Sequence, residues 1–316
     1  MTASRLLVIS PLVLSLACTT EVPLQPTGGL LAMSFANSET WSEPVHLDAP
    51  INSPSRELAA ALSPDELSLY FGSDRIDPSA LGAVDMWVSR RACLECPWEA
   101  PVNLGPNINS LRGDGSPAFS PDGHLLFFSS ARDGGEGNDD IWVSHRADPN
   151  DDLGWEPAVN LGPYVNTMAG EVSPSYIPAL GGGGVNLYFS RGSDVYAVRV
   201  TRDGEALGPA EAVAGLGGGQ GVTVRKDGRE AYFWSSALGG IGNADIWVTT
   251  RRSPNDEWSA PENVGPVINT RFADLTPTLS LDGRTLIFSA AAAARPGLGL
   301  QDIWMTTRTS SGRDAP

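Results

Sequence analysis

The strongest constraint on the fold is a segment that recurs five times along the chain. Each copy begins with an aspartate followed by an aliphatic and an aromatic residue, at Asp85, Asp140, Asp194, Asp245 and Asp302. A short apolar run precedes each copy, and a turn such as Ser120-Pro-Asp-Gly123 precedes most of the runs. An Asp-Gly pair between two short apolar runs predicts a hairpin, because glycine tolerates a positive φ.

A fourth element completes the repeat. It has the pattern Trp98-Glu-Ala-Pro-Val-Asn-Leu-Gly105, returns from Trp155 and Trp258, and has a degenerate version from Leu207 to Leu216. Four short strands repeated about every 50 residues are typical of propeller blades. The same element precedes the first set, from Trp41 to Leu47, and is missing after the last. The sequence therefore predicts an all-β protein, a five-bladed β-propeller of four-stranded antiparallel blades. Its N-terminal strand, at about 41–47, joins the last blade and closes the ring.

Three motifs carry a resemblance to a known family. They are Ser-Pro-Asp-Gly at 120–123, Phe-Ser-Ser-Ala-Arg-Asp-Gly-Gly at 128–135 and Gly-Asn-Asp-Asp-Ile-Trp-Val at 137–143. They resemble the TolB-like, WD-repeat-like β-propeller repeats of bacterial envelope proteins, and the likeness extends over about 41–308. TolB itself has six blades and an extra N-terminal domain, which have no counterpart here. The resemblance implies a propeller that serves as a binding scaffold, without a TolB-type transport role.

The first residues predict an export signal. One charge, Arg5, precedes an apolar run from Leu6 to Leu16, which is too short to span a bilayer as a helix. The run ends in Leu14-Ser-Leu-Ala-Cys18, which resembles a bacterial lipobox and implies acylation of Cys18. We expect a lipoprotein signal peptide at 1–17, a tether at 18–38 and the propeller at 39–316. The alternative is an ordinary secretory signal with an incidental cysteine.

The net charge of the chain and its predicted location limit the kinds of partner that it can bind. With 21 basic and 37 acidic residues the net charge is −16, and such a surface repels phosphate backbones, which disfavours nucleic-acid binding. We expect a monomer held by its lipid in the bacterial cell envelope, at the outer membrane facing the periplasm or the surface. An envelope protein, a peptide or a glycan is the expected partner.

A carboxylate precedes the innermost strand in four of the five repeats. These candidate ligand-binding or cation-binding residues are Glu57, Asp114, Glu171 and Asp274. In the fourth repeat the same register falls on Gly219, beside Gln220. If the inner strands line the central channel, the four carboxylates ring one of its mouths. Alternatively, each acid caps its own loop or pairs with a repeat arginine such as Arg112 or Arg271.

Two further motifs bear on metals and redox chemistry. The recurring aspartate is expected to bond backbone N–H groups at the hairpin, while Ca²⁺ binding at Asp140 and Asp245 is the alternative; no other cofactor is expected. Cys93 and Cys96 lie in a loop of an exported chain, which favours a local disulfide.

Two functional hypotheses remain. A regular repeat without an asymmetric catalytic cluster favours a non-catalytic envelope lipoprotein whose propeller binds a protein, peptide or glycan. The alternative is a glycoside hydrolase or lyase using carboxylates at the channel mouth, because five-bladed propellers that cleave glycans place two or three carboxylates there. The alternative requires two carboxylates that face a shared cleft.

Overall fold

The computed structural model describes residues 41–178 and 185–309. The predicted signal peptide and tether, including Cys18, lie outside these ranges. Within them no helix is long and apolar enough to cross a membrane.

Twenty strands of the described chain form five four-stranded antiparallel sheets. Blade 1 consists of β2 (Glu57–Leu62), β3 (Ser68–Ser73), β4 (Asp85–Arg90) and β5 (Val102–Asn103). Blade 2 consists of β6 (Asp114–Phe119), β7 (Leu125–Ser130), β8 (Asp140–His145) and β9 (Val159–Asn160). Blade 3 consists of β10 (Glu171–Pro178), β11 (Val185–Arg191), β12 (Asp194–Val200) and β13 (Glu211–Ala212). Blade 4 consists of β14 (Gln220–Val224), β15 (Glu230–Ser235), β16 (Asp245–Thr250) and β17 (Glu262–Asn263). Blade 5 consists of β18 (Asp274–Leu279), β19 (Thr285–Ala291), β20 (Gln301–Thr307) and, from the start of the described chain, β1 (Val45–His46).

The ring closes as the sequence predicts. Strand β1 pairs with β20 in the register Val45 to Met305 and His46 to Trp304. Every other blade takes its four strands from one continuous stretch of chain, so only blade 5 joins the two ends. The five-bladed all-β fold is therefore confirmed, together with its closure by the N-terminal strand.

Stacked arginine and tryptophan pairs hold the outer strands of four blades. An arginine just after the third strand lies over the indole that precedes the fourth strand, with the guanidinium carbon 4.1 to 4.7 Å from the ring centroid. The pairs are Arg91 with Trp98, Arg146 with Trp155, Arg251 with Trp258 and Arg308 with Trp41. This packing accounts for the regular spacing of arginine and tryptophan along the chain.

Candidate functional site

All five inner strands line a cavity of about 90 Å³ on the axis of the ring. Each inner strand pairs with its neighbour through a register shift, so one residue bulges out of the ladder. The bulged residues have a left-handed φ of 45 to 67° and are Ala59, Ser116, Ser173, Gly221 and Thr276. All five line the cavity. The inner strands therefore line the channel, which was the condition for placing the four predicted carboxylates at its mouth.

Three bulges carry hydroxyl groups, at Ser116, Ser173 and Thr276, and these side chains were not predicted as site residues. Each lies two residues after the inner-strand acid and directly before a proline. A hydroxyl both donates and accepts hydrogen bonds, so this ring suits a neutral polar ligand. The repeated pattern of acid, any residue, Ser or Thr, and proline is the signal in the sequence that could have identified it.

The four predicted carboxylates are turned away from the channel. Their side chains are at most 2% exposed, and none of the four lines the cavity. Each caps the loop that leads into its own inner strand. Ser53 N donates to Glu57 Oε2 at 3.0 Å, and the Ser53 hydroxyl donates to Oε1 at 2.6 Å. The same pair of bonds links Ser110 to Asp114, Thr167 to Glu171 and Thr270 to Asp274.

Three of these carboxylates also bind an arginine from the end of the second strand. Arg75 lies 3.2 Å from Glu57, Arg132 lies 2.8 Å from Asp114, and Arg191 lies 2.6 Å from Glu171. The loop-capping alternative therefore describes the geometry, but its suggested arginines are wrong. Arg112 instead approaches the exposed Asp133 at 3.4 Å, and Arg271 lies over Phe272.

Asp274 departs from this pattern. In blade 2, Ser130 and Arg132 both donate hydrogen bonds to Asp114. Blade 5 has Ala290 and Ala292 at the equivalent positions. Within the described chain Asp274 Oδ1 is buried and has no hydrogen-bond partner.

A later arginine of blade 5 compensates only in part. Arg295 stacks on Phe288 and Trp304 and donates to the carbonyl of Ile268 at 2.7 Å. Its charge lowers the pKa of Asp274, but burial outweighs this effect and raises that pKa to about 6.

The recurring aspartates form turn caps. Asp85 accepts from Leu81 N at 2.6 Å, Gly82 N at 3.0 Å and Asn103 Nδ2 at 2.8 Å. Asp140 and Asp245 make equivalent bonds in their own blades. In the described residues no three His, Cys, Asp or Glu side chains group as metal ligands. Ca²⁺ binding at Asp140 and Asp245 stays a prediction. A disulfide joins Cys93 to Cys96, with the Cα atoms 4.9 Å apart.

The turn end of the channel breaks the five-fold repeat. Glu66 occupies a turn position that is glycine in three other blades. In all four blades the Nε of the arginine after the third strand donates to the backbone oxygen of this turn residue, which is Glu66, Gly123, Gly228 or Gly283. Its φ of 60° lies in the left-handed region, as do those of the three glycines. A glutamate in this region is strained, and such strain is concentrated at functional sites. Glu66 was not among the predicted site residues, although it replaces the glycine of the Ser-Pro-Asp-Gly motif, and that replacement is visible in the sequence.

The charge of a second carboxylate acts on Glu66. Burial raises its pKa, and the negative charge of Asp282 in the neighbouring blade raises it further. The positive charge of Arg91 acts in the opposite direction. The Ser280 hydroxyl donates to Asp282 Oδ1 at 2.6 Å, and Ser280 lines the channel cavity. Glu66 and Asp282 therefore belong to the corresponding turns of adjacent blades and interact electrostatically, although neither side chain lines the channel cavity.

Comparison with known proteins shows the fold. No protein-family model matches the chain, and the curated proteins give no significant match. The structure is similar to the catalytic domain of the Coprinopsis cinerea GH62 α-L-arabinofuranosidase, with a TM-score of 0.56, 13% identity, and coverage of 88% of this chain and 98% of that one. It is also similar to the Xanthomonas citri GH43_1 enzyme complexed with xylotriose, with a TM-score of 0.57, 16% identity, and coverage of 86% and 92%. TolB from Acinetobacter baumannii matches at a TM-score of 0.46 and 14% identity, over 82% of this chain and 55% of that one.

These comparisons correct the leading functional expectation, and a non-catalytic scaffold is the wrong hypothesis. Arabinofuranosidases, a xylosidase and related glycoside hydrolases are among the propellers that match over at least 86% of the chain. The physical premise of the scaffold also fails, because Glu66 and Asp274 break the regularity on which it rested. The TolB-like resemblance is confirmed for the propeller fold alone, and the lipid anchor stays a prediction.

Proposed function

We propose that the protein is a glycoside hydrolase whose reaction takes place at the turn end of the channel. Glu66 is the general acid that protonates the leaving glycosidic oxygen. Asp282 is the companion carboxylate that attacks the anomeric carbon or activates a water molecule. The pair of Glu66 and Asp282 is the observation that carries this proposal.

The raised pKa of Glu66 supports its role as the general acid. A glycosidase needs two neighbouring carboxyl groups in different protonation states, and the environment of each group sets its state. Partial burial and the charge of Asp282 both favour the protonated form of Glu66. The Ser280 hydroxyl donates to Asp282 Oδ1 at 2.6 Å and thereby fixes the position of this carboxylate. Glu66 is therefore the proton donor of the proposed pair, and Asp282 is its companion carboxylate.

The four buried acids near the opposite mouth have a different task. Glu57, Asp114 and Glu171 are held by their own loops and by arginines, so their oxygens are already occupied. Asp274 has a raised pKa but is 0% exposed. A buried carboxyl without access to solvent cannot meet a glycosidic oxygen, and we assign these four residues to stability.

The substrate class follows from the channel and from the similar structures. Ser116, Ser173 and Thr276 line the channel. The hydroxyls of Ser116 and Ser173 suit a neutral polyol, whereas the Thr276 hydroxyl lies 2.6 Å from that of Ser289. The carboxylates at the mouth repel acidic sugars. Several propellers of similar fold are described as acting on arabinose-containing or xylose-containing glycosides. We propose neutral pentose glycosides as substrates.

A turnover assay with a matched pair of variants tests the proposal. Aryl α-L-arabinofuranosides and aryl β-D-xylosides are the probes, and Glu66→Gln removes the proton while preserving the size of the side chain. Removal of a general acid lowers kcat by about 10² to 10⁴-fold. Glu99→Gln changes an exposed glutamate of the same blade and should leave turnover unchanged. Equal turnover in both variants would refute the role of Glu66.

We also propose that the enzyme is exported and lipid-anchored in the bacterial cell envelope. The support is the Leu14-Ser-Leu-Ala-Cys18 segment after a short apolar run. Metabolic labelling with a palmitate analogue should mark the full chain and should fail for Cys18→Ser. Labelling of that variant would exclude Cys18 as the acylated residue.

A further inference from the structure

The junction between blades 2 and 3 contains a side cavity of about 620 Å³. It lies away from the channel. Strands β8 and β9 and the loop after β9 form one side, and the tight connection between β12 and β13 forms the other. Its lining includes Val143, His145, Tyr164, Asp203, Glu205 and Ala206. A cavity of this size falls in the range of small-ligand sites.

The cavity exists because one stacked pair of the repeat is missing. A backbone hydrogen bond identifies equivalent positions in the five blades. In each blade, the N–H of one residue before the fourth strand donates to a backbone oxygen at the end of the third strand. The residue before this donor is Trp41, Trp98, Trp155 or Trp258 in four blades and Ala206 in blade 3. The arginine that stacks on the indole is likewise replaced by Val200. The volume filled by an indole and a guanidinium elsewhere is open here.

Three polar side chains around the cavity, those of His145, Asp203 and Glu205, are not engaged by other described residues, whereas Asn160 is bonded within its own blade. Among the described residues, no hydrogen bond engages the His145 ring or the side-chain oxygens of Asp203 and Glu205. Asp203 and Glu205 are exposed on the tight connection, and His145 is half-buried on β8. Two carboxylates accept hydrogen bonds and an imidazole can donate or accept them, so the three groups match the hydroxyls of a polyol.

Tyr164 provides an aromatic surface at the rim. Its side chain is 54% exposed, and its backbone oxygen is fixed by a hydrogen bond from Ala210 N at 2.8 Å. The equivalent residue of blade 1 is Asn107, whose backbone oxygen accepts the matching bond from Ala158 N. An exposed ring with an apolar face and a polar end beside unused hydrogen-bonding groups suits a ligand that has both apolar and hydroxyl surfaces.

We propose that this cavity is an accessory site for a neutral sugar unit, with Tyr164 as the stacking surface and His145, Asp203 and Glu205 as hydrogen-bonding groups. The two carboxylates disfavour acidic sugars and other anions. The choice of a glycan as ligand rests on the proposed glycoside hydrolase function. The site itself is separate from Glu66 and does no chemistry.

Calorimetric titration of the Glu66→Gln protein tests the site without substrate turnover. The probes are xylotriose, cellotriose and an arabinotriose, with trigalacturonate as the anionic comparison. Tyr164→Asn introduces the residue of blade 1, and Ala206→Trp refills the cavity with the residue of the other four blades. Val102→Ala is the control, because Val102 is the blade 1 equivalent of the lining residue Val159.

At least one neutral trisaccharide should bind, and both cavity variants should weaken its binding at least about tenfold, whereas Val102→Ala should not. Unchanged binding in both cavity variants overturns the proposal. So does preferential binding of trigalacturonate, or the absence of any neutral binding at about 10 mM, the weak limit of measurable affinity. Turnover of a small aryl glycoside by the Tyr164→Asn protein reports separately on the Glu66 site, so failure of one proposal is distinguishable from failure of the other.

Discussion

Arg132 Nη2 donates a hydrogen bond to Asp114 Oδ1 across 2.8 Å, and neither side chain is more than 13% exposed. The same arginine donates to the backbone oxygen of Ile108 and lies over the rings of Phe128 and Trp142. It therefore ties the loop before an inner strand to the second and third strands of the same blade. The recurrence of the acid along the chain is therefore explained by its structural pairing with an arginine, whereas the sequence had suggested that Asp114 binds a ligand or a cation.

Loss of this arginine should destabilise the propeller strongly. Arg132→Ala leaves the Asp114 carboxylate buried without its cation, which costs about 3 to 5 kcal/mol. The matched control is Arg112→Ala in the same blade, because Arg112 is 61% exposed and its partner Asp133 is 92% exposed. That change should cost about 1 kcal/mol or less. Urea unfolding of both variants gives the comparison, and equal losses would contradict the assignment.

The unneutralised Asp274 should make stability depend on pH. Its native pKa of about 6 lies above the ordinary value of 3.8, so the native state binds this proton more tightly than the unfolded chain does. The stabilising contribution is fully present below pH 3.8 and is lost as the pH rises through about 6. From pH 4 to 7 the wild type should lose about 2 to 3 kcal/mol relative to Asp274→Asn. Parallel pH profiles of the two proteins would contradict this prediction.

Ala290→Ser offers a complementary test of Asp274. In blade 2 the Ser130 hydroxyl donates to Asp114 Oδ1 at 2.5 Å, and Ala290 occupies the equivalent position in blade 5. A serine there supplies the missing donor to the buried carboxylate. Stability at pH 7.5 should rise by about 1 kcal/mol, and the pH dependence should become weaker. A loss of stability would show that the site has no room for the hydroxyl.

His46 should be replaceable by asparagine but not by alanine. Its Nε2 lies 2.7 Å from Asp302 Oδ2, and Asp302 is only 1% exposed. In blade 1 Asn103 Nδ2 donates to Asp85 at 2.8 Å from the equivalent strand position. His46→Ala should cost about 1 to 3 kcal/mol, because a buried carboxylate loses a partner. His46→Asn should restore most of the loss in thermal unfolding, and failure to do so would argue against the equivalence.

Repetition made the fold predictable, and departures from repetition made the site hard to find. Asp85 and its equivalents marked the third strands, and Trp41 identified the closing strand, because each element recurs with a fixed spacing. The burial of Asp114 could not be predicted in the same way, because its partner Arg132 comes from a different strand. Glu66 escaped notice for the opposite reason, since it is one change within a turn whose other copies carry glycine.

We expect Glu66 to lower the stability of the folded protein. Its φ of 60° is unfavourable for a residue with a side chain, whereas glycine adopts this conformation freely. Glu66→Gly should therefore stabilise the protein by about 1 kcal/mol while turnover is lost. Thermal unfolding and turnover are measured on the same preparation. Destabilisation by glycine would mean that contacts of the glutamate outweigh the strain.

The most direct test of the central claim is the pH profile of kcat/KM for an aryl pentoside, measured on the wild type and on Glu66→Gln. Since the pKa of Glu66 is raised and its protonated form is required, activity should persist above the ordinary glutamate range and fall as the pH rises through that pKa. The Glu66→Gln protein should lose the alkaline decline together with most of its turnover. A wild type without turnover on any arabinoside or xyloside, or a variant with an unchanged profile, would contradict the assignment of the Glu66 and Asp282 pair.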